Sequence, residues 1–305
     1  MCWVQCASSI IKEILLLKKE RHAIILVHNY QPAEVQDIAD LTGDSLELSR
    51  AAATMDGEVI VFCGVDFMAE TAAILSPEKK VLLPAPDACC PMAQMITAEE
   101  LKLAKSRHPD AAVVCYVNTT AEVKAESDIC CSSSNAVKVV NSVREATIIF
   151  VPDQNLARYV QRFTQKVILP WEGFCIVHDQ ITPDQVRKAR HLHPDAVVMV
   201  HPECRPEVID LADHVASTSG IIRHVCASEK MEFIIGTEIG ILHRLRKECP
   251  AKRCYPLSGT ALCRNMKKTD LKKVRDALQT LRPRVTVPEE IACRARGAIE
   301  RMLAV

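Results

Sequence analysis

The sequence repeats itself at long intervals, and this repeat restricts the possible folds more than any other feature. A segment beginning Ala33-Glu34-Val35 recurs without gaps at Ala121 and at Pro206, 88 and then 85 residues further along the chain. A period of this length is too long for the short repeats of a solenoid. The repeat therefore predicts three small domains of one kind. Side chains at equivalent positions in the three domains can then face a shared centre.

The coarse pattern within each repeat predicts alternating helices and strands. Each copy opens with a polar-faced helix, predicted at about Ser9–Arg21, Thr97–Arg107 and Thr182–Leu192, and continues with short apolar runs typical of parallel strands buried on both faces. Such alternation predicts right-handed crossovers and sheets covered by helices on both sides. We therefore expect an α/β fold of three pseudo-equivalent three-layer αβα domains, related by a pseudo-threefold axis. The predicted domains are 1–93, completed by the C-terminal helices of 267–305, then 94–179 and 180–266.

The composition excludes several classes of protein. The 305 residues include 38 basic and 38 acidic side chains, a balance that leaves no basic surface for nucleic acid and no polybasic patch for a membrane. No uninterrupted apolar stretch approaches the length that crosses a bilayer, and the start lacks the basic-then-apolar pattern of a secretory signal. We expect a cytoplasmic enzyme that binds small molecules rather than nucleic acid or membranes.

Polar side chains follow the first predicted strand of each repeat, at the edge where open α/β sheets bind ligands. Residues two apart on a strand point the same way, so in repeat register these side chains form two rings. Any one of them alone is adequately explained as a hydrogen-bonded core residue, but burying all of them is costly unless they line a site. The first ring is His28, Tyr116 and His201, and the second is Tyr30, Asn118 and Glu203.

A third ring of hydroxyl groups follows at the next turn. Ser45, Ser133 and the pair Ser217-Thr218 each stand at the start of a predicted helix. Helix capping alone accounts for at least half of the preference for hydroxyl residues at these positions. The free N–H groups and the partial positive charge at a helix N-terminus also bind carboxylate or phosphate. Three such ends aimed inward predict that a protein without net charge binds a strongly anionic substrate.

Three of the 15 cysteines follow the repeat and are candidate metal ligands. Cys90 and Cys263 are 173 residues apart, as Glu34 and Glu207 are, and Cys175 departs from this register by three residues. Thiolates from three domains that meet on one axis suit an iron–sulfur cube with one iron lacking a protein ligand. That iron can act as a Lewis acid. A zinc ion with three thiolates and water is the alternative, although structural zinc sites usually have four protein ligands in local pairs.

Most of the other cysteines are predicted to be small buried residues. Free cysteine is among the most buried residue types, and a reducing compartment disfavours a disulfide framework. The sequence contains no Cys-x-x-Cys pair, and the neighbours in Cys89-Cys90 and in Cys130-Cys131 are poorly placed to bind one ion together. Because Cys89 directly precedes Cys90, the sequence leaves open which of Cys89 and Cys90 is the metal ligand.

The rings and the cysteines lie within motifs that extend over almost the whole chain. These motifs are His28-Asn29-Tyr30-Gln31, Gly43-Asp44-Ser45, Val65–Glu70, Cys90-Pro91-Met92-Ala93, Tyr116-Val117-Asn118, Pro152–Leu156, Gly173–His178, His201–Cys204 and Ser217–Gly220. Together they resemble the quinolinate synthase family, from about residue 10 to the end of the chain.

The resemblance implies a cofactor and a reaction. It implies a 4Fe-4S cluster at the centre of three αβα domains, held by Cys90, Cys175 and Cys263, with one iron lacking a protein ligand. It further implies condensation of iminoaspartate with dihydroxyacetone phosphate to quinolinate, phosphate and water, in NAD biosynthesis. The resemblance also implies functional coupling to an enzyme that supplies iminoaspartate, an aspartate oxidase or an aspartate dehydrogenase. Forming a pyridine ring requires dehydrations and tautomer shifts, which a Lewis acid and proton-transfer groups assist.

The resemblance also assigns roles to single residues. Tyr30 and Glu203 become an acid–base pair, which we expect to lie within hydrogen-bond reach of each other, and His201 becomes a second proton-transfer group. The residues implied to contact substrate are His28, Ser45, Tyr116, Asn118, Ser133, His178, Ser217, Thr218 and Met266.

Three alternative interpretations come from other classes of protein. Hydroxymethylbutenyl diphosphate reductases and diphthamide-synthesis enzymes also draw one cysteine from each of three domains. The former require electron delivery, the latter require a sulfonium cofactor and a protein substrate, and neither shares this set of strand-end motifs. A non-catalytic metal-binding protein leaves the rings of histidine, tyrosine and glutamate without a purpose. Formation of quinolinate from the two substrates distinguishes all of these.

Overall fold

The fold is built from three four-stranded parallel sheets with one common strand order. The computed structural model describes the backbone of residues 2–305 and the side chains of residues 9–305. In each sheet the first strand along the chain lies between the second and the third, and the fourth lies at the far edge. All strand pairs within these sheets are parallel. The predicted α/β class with three equivalent αβα units is confirmed.

The elements follow the same order in the three units. The first unit contains α1 (Cys2–Glu20), β1 (Ala23–His28), α2 (Ala33–Gln36), β2 (Leu41–Gly43), α3 (Ser45–Thr54), β3 (Val59–Cys63), α4 (Asp66–Leu75) and β4 (Lys80–Leu82), followed by a short 3₁₀ turn at Met92–Gln94. The second contains α5 (Ala98–Arg107), β5 (Ala112–Tyr116), α6 (Ala121–Ala125), β6 (Ile129–Cys131), α7 (Ala136–Ser142), β7 (Thr147–Val151), α8 (Gln154–Gln161) and β8 (Val167–Pro170). The third contains α9 (Pro183–Leu192), β9 (Val197–Val200), α10 (Pro206–Ile209), β10 (His214–Val215), α11 (Thr218–Ala227), β11 (Glu232–Gly236), α12 (Ile241–Glu248) and β12 (Arg253–Pro256), and the helices α13 (Leu271–Thr280) and α14 (Glu289–Leu303) follow it.

Two of the three opening helices begin at the threonines that the sequence suggests. The hydroxyls of Thr97 and Thr182 each accept the N–H of the residue three positions on, and the side-chain oxygen of that residue accepts the threonine N–H in return. This capping box satisfies two N–H groups that a helix start otherwise leaves free. The first opening helix differs, because α1 begins well before Ser9. The Ser9 hydroxyl donates to Glu13 one turn later instead of capping the helix.

A repeated aspartate explains part of the sequence repeat. Asp40, Asp128 and Asp213 lie just before the second strand of their units, and each carboxylate accepts the N–H of a residue in the first strand at 2.7–2.8 Å. The N–H of each aspartate donates to the carbonyl of that same strand residue. The paired bonds fix how the second strand joins the first. This part of the repeat is therefore structural.

Helices cover both faces of the first sheet. Ile25 and Val27 of β1 pack in the cluster that contains residues of α1 and α13, whereas Ile24 and Leu26 pack in the cluster that contains residues of α3 and α4. Alternate residues of a strand point to opposite faces, so an entirely apolar strand is buried on both. The three-layer arrangement follows directly from this sequence pattern.

The two C-terminal helices pack in different places. α13 contacts α1 and β3 of the first unit, whereas α14 contacts α4 of the first unit and α6 and β6 of the second. Ala295, Ala298 and Ile299 of α14 are fully buried by these contacts. Among the described residues, no helix combines the length and the apolar character needed to cross a bilayer. The predicted domain boundaries stay predictions.

One pair of cysteines departs from the expectation of free thiols. Cys226 in α11 and Cys249 after α12 form a disulfide, with Cα atoms 5.5 Å apart. α11 and α12 pack side by side, so the two cysteines meet although 23 residues separate them. The side chains of Cys2 and Cys6 lie outside the described residues. The free cysteines that are fully buried are Cys63, Cys115, Cys130, Cys131 and Cys204.

Candidate active site

One cavity lies where the three units meet, beyond the ends of their first strands. It measures about 740 Å³ including its open mouth, and residues of all three units line it. Of the 15 residues that the sequence predicts for the site, only Ser217 is absent from the lining. The cavity brings together His28, Tyr30, Ser45, Cys90, Tyr116, Asn118, Ser133, Cys175, His178, His201, Glu203, Thr218, Cys263 and Met266.

Glu203 stands in a continuous chain of hydrogen bonds along the cavity wall. Its Oε1 accepts the Tyr116 hydroxyl at 2.6 Å, and its Oε2 lies 2.6 Å from Nδ1 of His178. Nε2 of His178 lies 2.7 Å from the Thr237 hydroxyl, which lies 2.5 Å from the Tyr30 hydroxyl. All five side chains are buried. The chain of bonds connects two phenols to one carboxylate without a gap.

The direct partner of Glu203 differs from the predicted one. The sequence predicts Tyr30 within reach of Glu203, but Tyr116 makes that hydrogen bond, and Tyr30 is connected to Glu203 only through Thr237 and His178. Repeat register identifies the residues that share the chamber. It does not specify which side chain reaches which. The long phenol of Tyr116 extends from its own ring of residues to Glu203 in the neighbouring ring.

Burial and charge together set the protonation of these groups. Burial alone would raise the pKa of Glu203, but His201, His178 and the hydrogen bond from Tyr116 outweigh it and lower that pKa to about 2. Burial raises the pKa of Tyr30 and of Tyr116 well above the usual value, and the charge of Glu203 raises both further. At neutral pH Glu203 is therefore ionised, while Tyr30 and Tyr116 are protonated.

His28 and His201 hold matching positions and matching tautomers. Burial lowers the pKa of each to about 3, so both rings are neutral at physiological pH. Nδ1 of His28 accepts the N–H of Tyr30 at 3.2 Å, and Nδ1 of His201 accepts the N–H of Glu203 at 3.3 Å. A neutral imidazole that accepts at Nδ1 carries its proton on Nε2. Both rings are therefore N–H donors suited to a ligand oxygen.

The hydroxyls of the third ring lie at or before helix starts. Ser45 and Thr218 are the first residues of the 10-residue helices α3 and α11, and Ser133 lies on the turn before α7. Ser217 caps α11 and donates its hydroxyl to Asp44 at 3.2 Å, and it is not among the residues that line the cavity. Among the described residues, no arginine or lysine lines the cavity. Backbone N–H groups, hydroxyls and imidazoles are therefore its donors for an anion.

Asn118 presents an unsatisfied acceptor at the cavity. Its Oδ1 is buried and has no hydrogen-bond partner among the described residues. A buried oxygen without a donor costs about 1–3 kcal/mol. A ligand hydroxyl or N–H in the cavity removes this cost, so Asn118 is suited to contact a substrate.

Each unit contributes one thiol to the same cavity: Cys90, Cys175 and Cys263. Cys89 does not line this cavity. Burial raises the pKa of all three thiols, that of Cys90 to about 12. The charge of Cys263 raises the pKa of Cys90 further, and the charge of Cys90 raises that of Cys175, as expected of neighbouring groups. Such thiols lose their protons on binding a metal. Three thiols that line one cavity fit a cluster with one iron lacking a protein ligand.

Two carboxylates, the half-buried Asp66 and the buried Glu238, hold two of the three cysteine loops. Asp66 accepts the backbone N–H of Cys90 and Glu238 accepts that of Cys263, both at 3.2 Å. Glu238 also forms an ion pair with Lys267 at 2.9 Å. These bonds fix the loop backbone, so the thiols are held in place before any metal binds. Sequence analysis gave neither carboxylate a role.

Thr237 and Glu238 are the residues of the site that sequence analysis missed. Glu238 stands at the position of Asp153 in the second repeat, directly after the third strand, so the repeat contained a signal for it. Thr237 had no such signal, because the equivalent residues are Gly64 and Pro152. Only the folded chain shows that its hydroxyl joins Tyr30 to the rest of the network.

Comparison with known proteins identifies the family. A family model described as Quinolinate synthetase A protein matches residues 12–304. The chain is 73% identical to the quinolinate synthase of Methanoregula boonei over 293 residues, which cover 96% of this chain and 97% of that protein. It is 56% identical to the quinolinate synthase of Thermodesulfovibrio yellowstonii over 294 residues, with the same coverage of 96% and 97%. It is 54% identical to quinolinate synthase 2 of Methanosarcina acetivorans over 296 residues, covering 97% of this chain and 96% of that one.

These matches extend over nearly the whole of each protein, and the residues of the cavity lie inside the matched range. The resemblance inferred from the motifs is therefore confirmed, together with the prediction of an enzyme of this kind. The chain belongs to the quinolinate synthetase A family.

Proposed function

We propose that this protein condenses iminoaspartate with dihydroxyacetone phosphate to form quinolinate, with loss of phosphate and water, as a step of NAD biosynthesis. Cys90, Cys175 and Cys263 would hold a 4Fe-4S cluster with one iron lacking a protein ligand. The observation that carries the proposal is the hydrogen-bonded chain that ends at Tyr30 and Tyr116, because it lies in the same cavity as the three thiols. The names of the relatives support the same reaction.

The anionic groups of the substrates match the donors of the cavity. Iminoaspartate has two carboxylates and dihydroxyacetone phosphate has a phosphate, while the cavity offers the starts of α3 and α11 and the hydroxyls of Ser45, Ser133 and Thr218. The Nε2–H groups of His28 and His201 add two neutral donors. Neutral donors bind an anion without leaving an unpaired buried charge in the site when no substrate is bound.

The proton transfers use the hydrogen-bonded chain. Glu203 is ionised and accepts a proton from a substrate carbon or nitrogen, while Tyr30 and Tyr116 are protonated and donate to a leaving oxygen. The Thr237 hydroxyl and the His178 imidazole return protons between these groups. The bound cluster supplies Lewis acidity for the loss of hydroxide.

The reaction requires a supply of iminoaspartate, which an aspartate oxidase or an aspartate dehydrogenase provides. Imines hydrolyse readily in water, so iminoaspartate has a short lifetime in solution. The functional partner is therefore an enzyme that makes the imine near the site of its use.

The proposal is tested by adding both substrates to anaerobically reconstituted protein and measuring quinolinate by chromatography. We expect multiple turnovers with the intact protein. A Cys90→Ala protein treated in the same way provides the control and is expected to produce none. An intact protein that carries its full complement of iron and sulfide but forms no quinolinate contradicts the proposed reaction.

A further inference from the structure

A compact group of three different metal-binding side chains lies at one end of the cavity. The ligand atoms of Cys175, His178 and Glu203 all lie within 4.8 Å of one another. Nδ1 of His178 is 3.2 Å from Sγ of Cys175 and 2.6 Å from Oε2 of Glu203. The histidine ring nitrogen thus stands between a sulfur and a carboxylate oxygen. The group combines the sulfur, nitrogen and oxygen donors that zinc accepts in proteins.

The backbone explains why these side chains meet. The N–H of Asp179 donates to the carbonyl of Cys175 at 2.9 Å, which closes a single helical turn. Side chains three apart on such a turn lie on the same side, so Cys175 and His178 point together. Glu203 comes from the loop directly after β9, on the neighbouring unit. The site therefore exists only when the second and third units are packed against each other.

Outer hydrogen bonds hold two of the three ligands in a binding orientation. The far nitrogen of His178 is 2.7 Å from the Thr237 hydroxyl, and the far oxygen of Glu203 accepts the Tyr116 hydroxyl at 2.6 Å. Bonds of this kind fix the orientation of a metal-binding imidazole or carboxylate, and their loss typically weakens metal affinity about 10–100-fold. His178 and Glu203 are 2% and 3% exposed, so bulk water competes little with a metal ion for their ligand atoms.

No lysine or arginine accompanies this group among the described residues that line the cavity. Glu203 itself is buried. A buried carboxylate beside a metal-binding thiol is stabilised by a bound cation. The cavity adjoins the group, so water can complete a four-coordinate ion as in zinc sites with three protein ligands.

We propose that the cluster-free form of this protein binds one zinc ion at Cys175, His178 and Glu203, with water from the cavity as the fourth ligand. Binding releases the thiol proton of Cys175 to solvent. The His178 proton moves from Nδ1 to Nε2, where it donates to the Thr237 hydroxyl, and two metal bonds replace the His178–Glu203 contact. The inference goes beyond the proposed function and rests on it only for the role of Cys175 in the cluster. Since Cys175 then serves two metals, zinc and cluster exclude each other. Zinc keeps the cluster-free protein in a reversible, inactive form.

This zinc site is distinct from the three-cysteine set. Cys90 and Cys263 line the same cavity but do not belong to the compact group found among the described residues. The two sites share only Cys175. Substitutions therefore separate them, because Cys90 and Cys263 are needed for the cluster alone, whereas His178 is a ligand of zinc alone.

The first experiment titrates the full-length, cluster-free protein with zinc chloride against a colorimetric chelator, without substrate. We expect one zinc per chain in the wild-type protein and unchanged affinity in Cys90→Ser and Cys263→Ser. Cys175→Ser and His178→Ala should each weaken binding about 100-fold, and Thr237→Val about 10-fold. Circular dichroism of each variant verifies its folding. If Cys90→Ser and Cys263→Ser lose zinc as severely as Cys175→Ser, or if the wild type binds none, the proposed site is wrong.

The second experiment measures competition. Wild-type protein preloaded with one equivalent of zinc should assemble the iron–sulfur chromophore from iron and sulfide at least 10-fold more slowly than zinc-free protein, and a chelator should restore the rate. His178→Ala should assemble its chromophore at the same rate with or without zinc. Equal rates for loaded and zinc-free wild-type protein contradict mutual exclusion. Neither experiment measures quinolinate, so failure here is distinguishable from failure of the proposed reaction.

Discussion

Tyr30 and Tyr116 present the same phenol to the cavity but hold it in different hydrogen bonds. Tyr116 donates directly to Glu203, whereas Tyr30 bonds to Thr237 and reaches the carboxylate through His178. Removing either hydroxyl therefore interrupts the chain at a different point. Because both phenols are buried and protonated, substitution by phenylalanine removes a proton donor and preserves the packing of the ring.

Tyr30→Phe is expected to lower turnover about 100-fold or more, the usual scale for loss of an acid–base group, while the iron–sulfur absorption stays intact. Glu203→Gln should behave in the same way. The double variant should be little worse than either single one, because residues that act as one unit are not additive. Steady-state kinetics on protein with a measured iron content provides the test. Near-normal turnover in Tyr30→Phe rejects its role and leaves His201 as the better candidate.

The hydroxyls of Ser133 and Thr218 are expected to act on substrate binding. Each variant to alanine loses a hydrogen bond to an anionic group, which is worth about 1.5–3 kcal/mol, so the KM for one substrate should rise about 10-fold or more. Ser134→Ala is the matched control, since Ser134 lies on the same turn as Ser133 but outside the cavity lining. Unchanged KM values for both substrates in both variants reduce the two hydroxyls to structural groups.

For single residues, the sequence predicted well which side chains line the cavity and predicted poorly which of them contact each other. Equivalent positions in three repeats must converge if the repeats pack around one axis, and 14 of the 15 predicted residues line one cavity. Contacts depend on side-chain length and rotamer, which a repeat does not encode. Hence Tyr30 was paired with Glu203 in place of Tyr116, and Thr237 was not found.

Among the secondary-structure elements, the connection between the first and second strands of each unit contains the most strongly repeated structural feature. Asp40, Asp128 and Asp213 bond to the first strand in the same way three times. The sequence showed the repeat but not its purpose, since an aspartate before a strand is also common in exposed turns. Likewise, the sequence suggested that the C-terminal region is helical. The sequence did not indicate that α14 contacts both the first and the second unit, because the amphipathic pattern of a helix does not specify which surface the helix covers.

Asp128→Ala is expected to lower the free energy of unfolding by about 1.5–3 kcal/mol, because a strand N–H loses its charged acceptor. Urea unfolding of the cluster-free protein measures the change. Glu122→Ala is the control, since Glu122 also recurs in the repeat but is exposed, and should change stability by less than about 0.5 kcal/mol. Equal effects of the two substitutions contradict a structural role for the repeated aspartate.

For the whole molecule, burial of neutral histidines predicts a dependence of stability on pH. The pKa of His28 and of His201 is about 3 in the folded protein against 6.5 for a free side chain, so the unfolded chain binds more protons between these values. Stability is therefore full above pH 6.5 and falls as pH decreases toward 3. The pKa of Glu203, about 2 against 4.5, adds a loss of the same sign below pH 4.5.

Urea unfolding of the cluster-free protein should show lower stability at pH 5 than at pH 7.5, by at most about 1.4 kcal/mol per pH unit for each histidine. His28→Gln should make this dependence shallower. The exposed His191 provides a control, since His191→Gln should leave the slope unchanged. Stability that is constant or greater at pH 5 contradicts the burial of neutral imidazoles.

Absorption spectroscopy of cysteine variants purified without oxygen tests most directly whether the three units supply one thiol each to a single metal centre. Cys90, Cys175 and Cys263 line one cavity, so alanine at any of them should abolish the broad iron–sulfur absorption. Cys89→Ala and Cys131→Ala should retain it, because neither residue lines the cavity. Survival of the absorption in any one of the three single variants contradicts the assignment, and survival in Cys90→Ala together with loss in Cys89→Ala identifies Cys89 as the ligand.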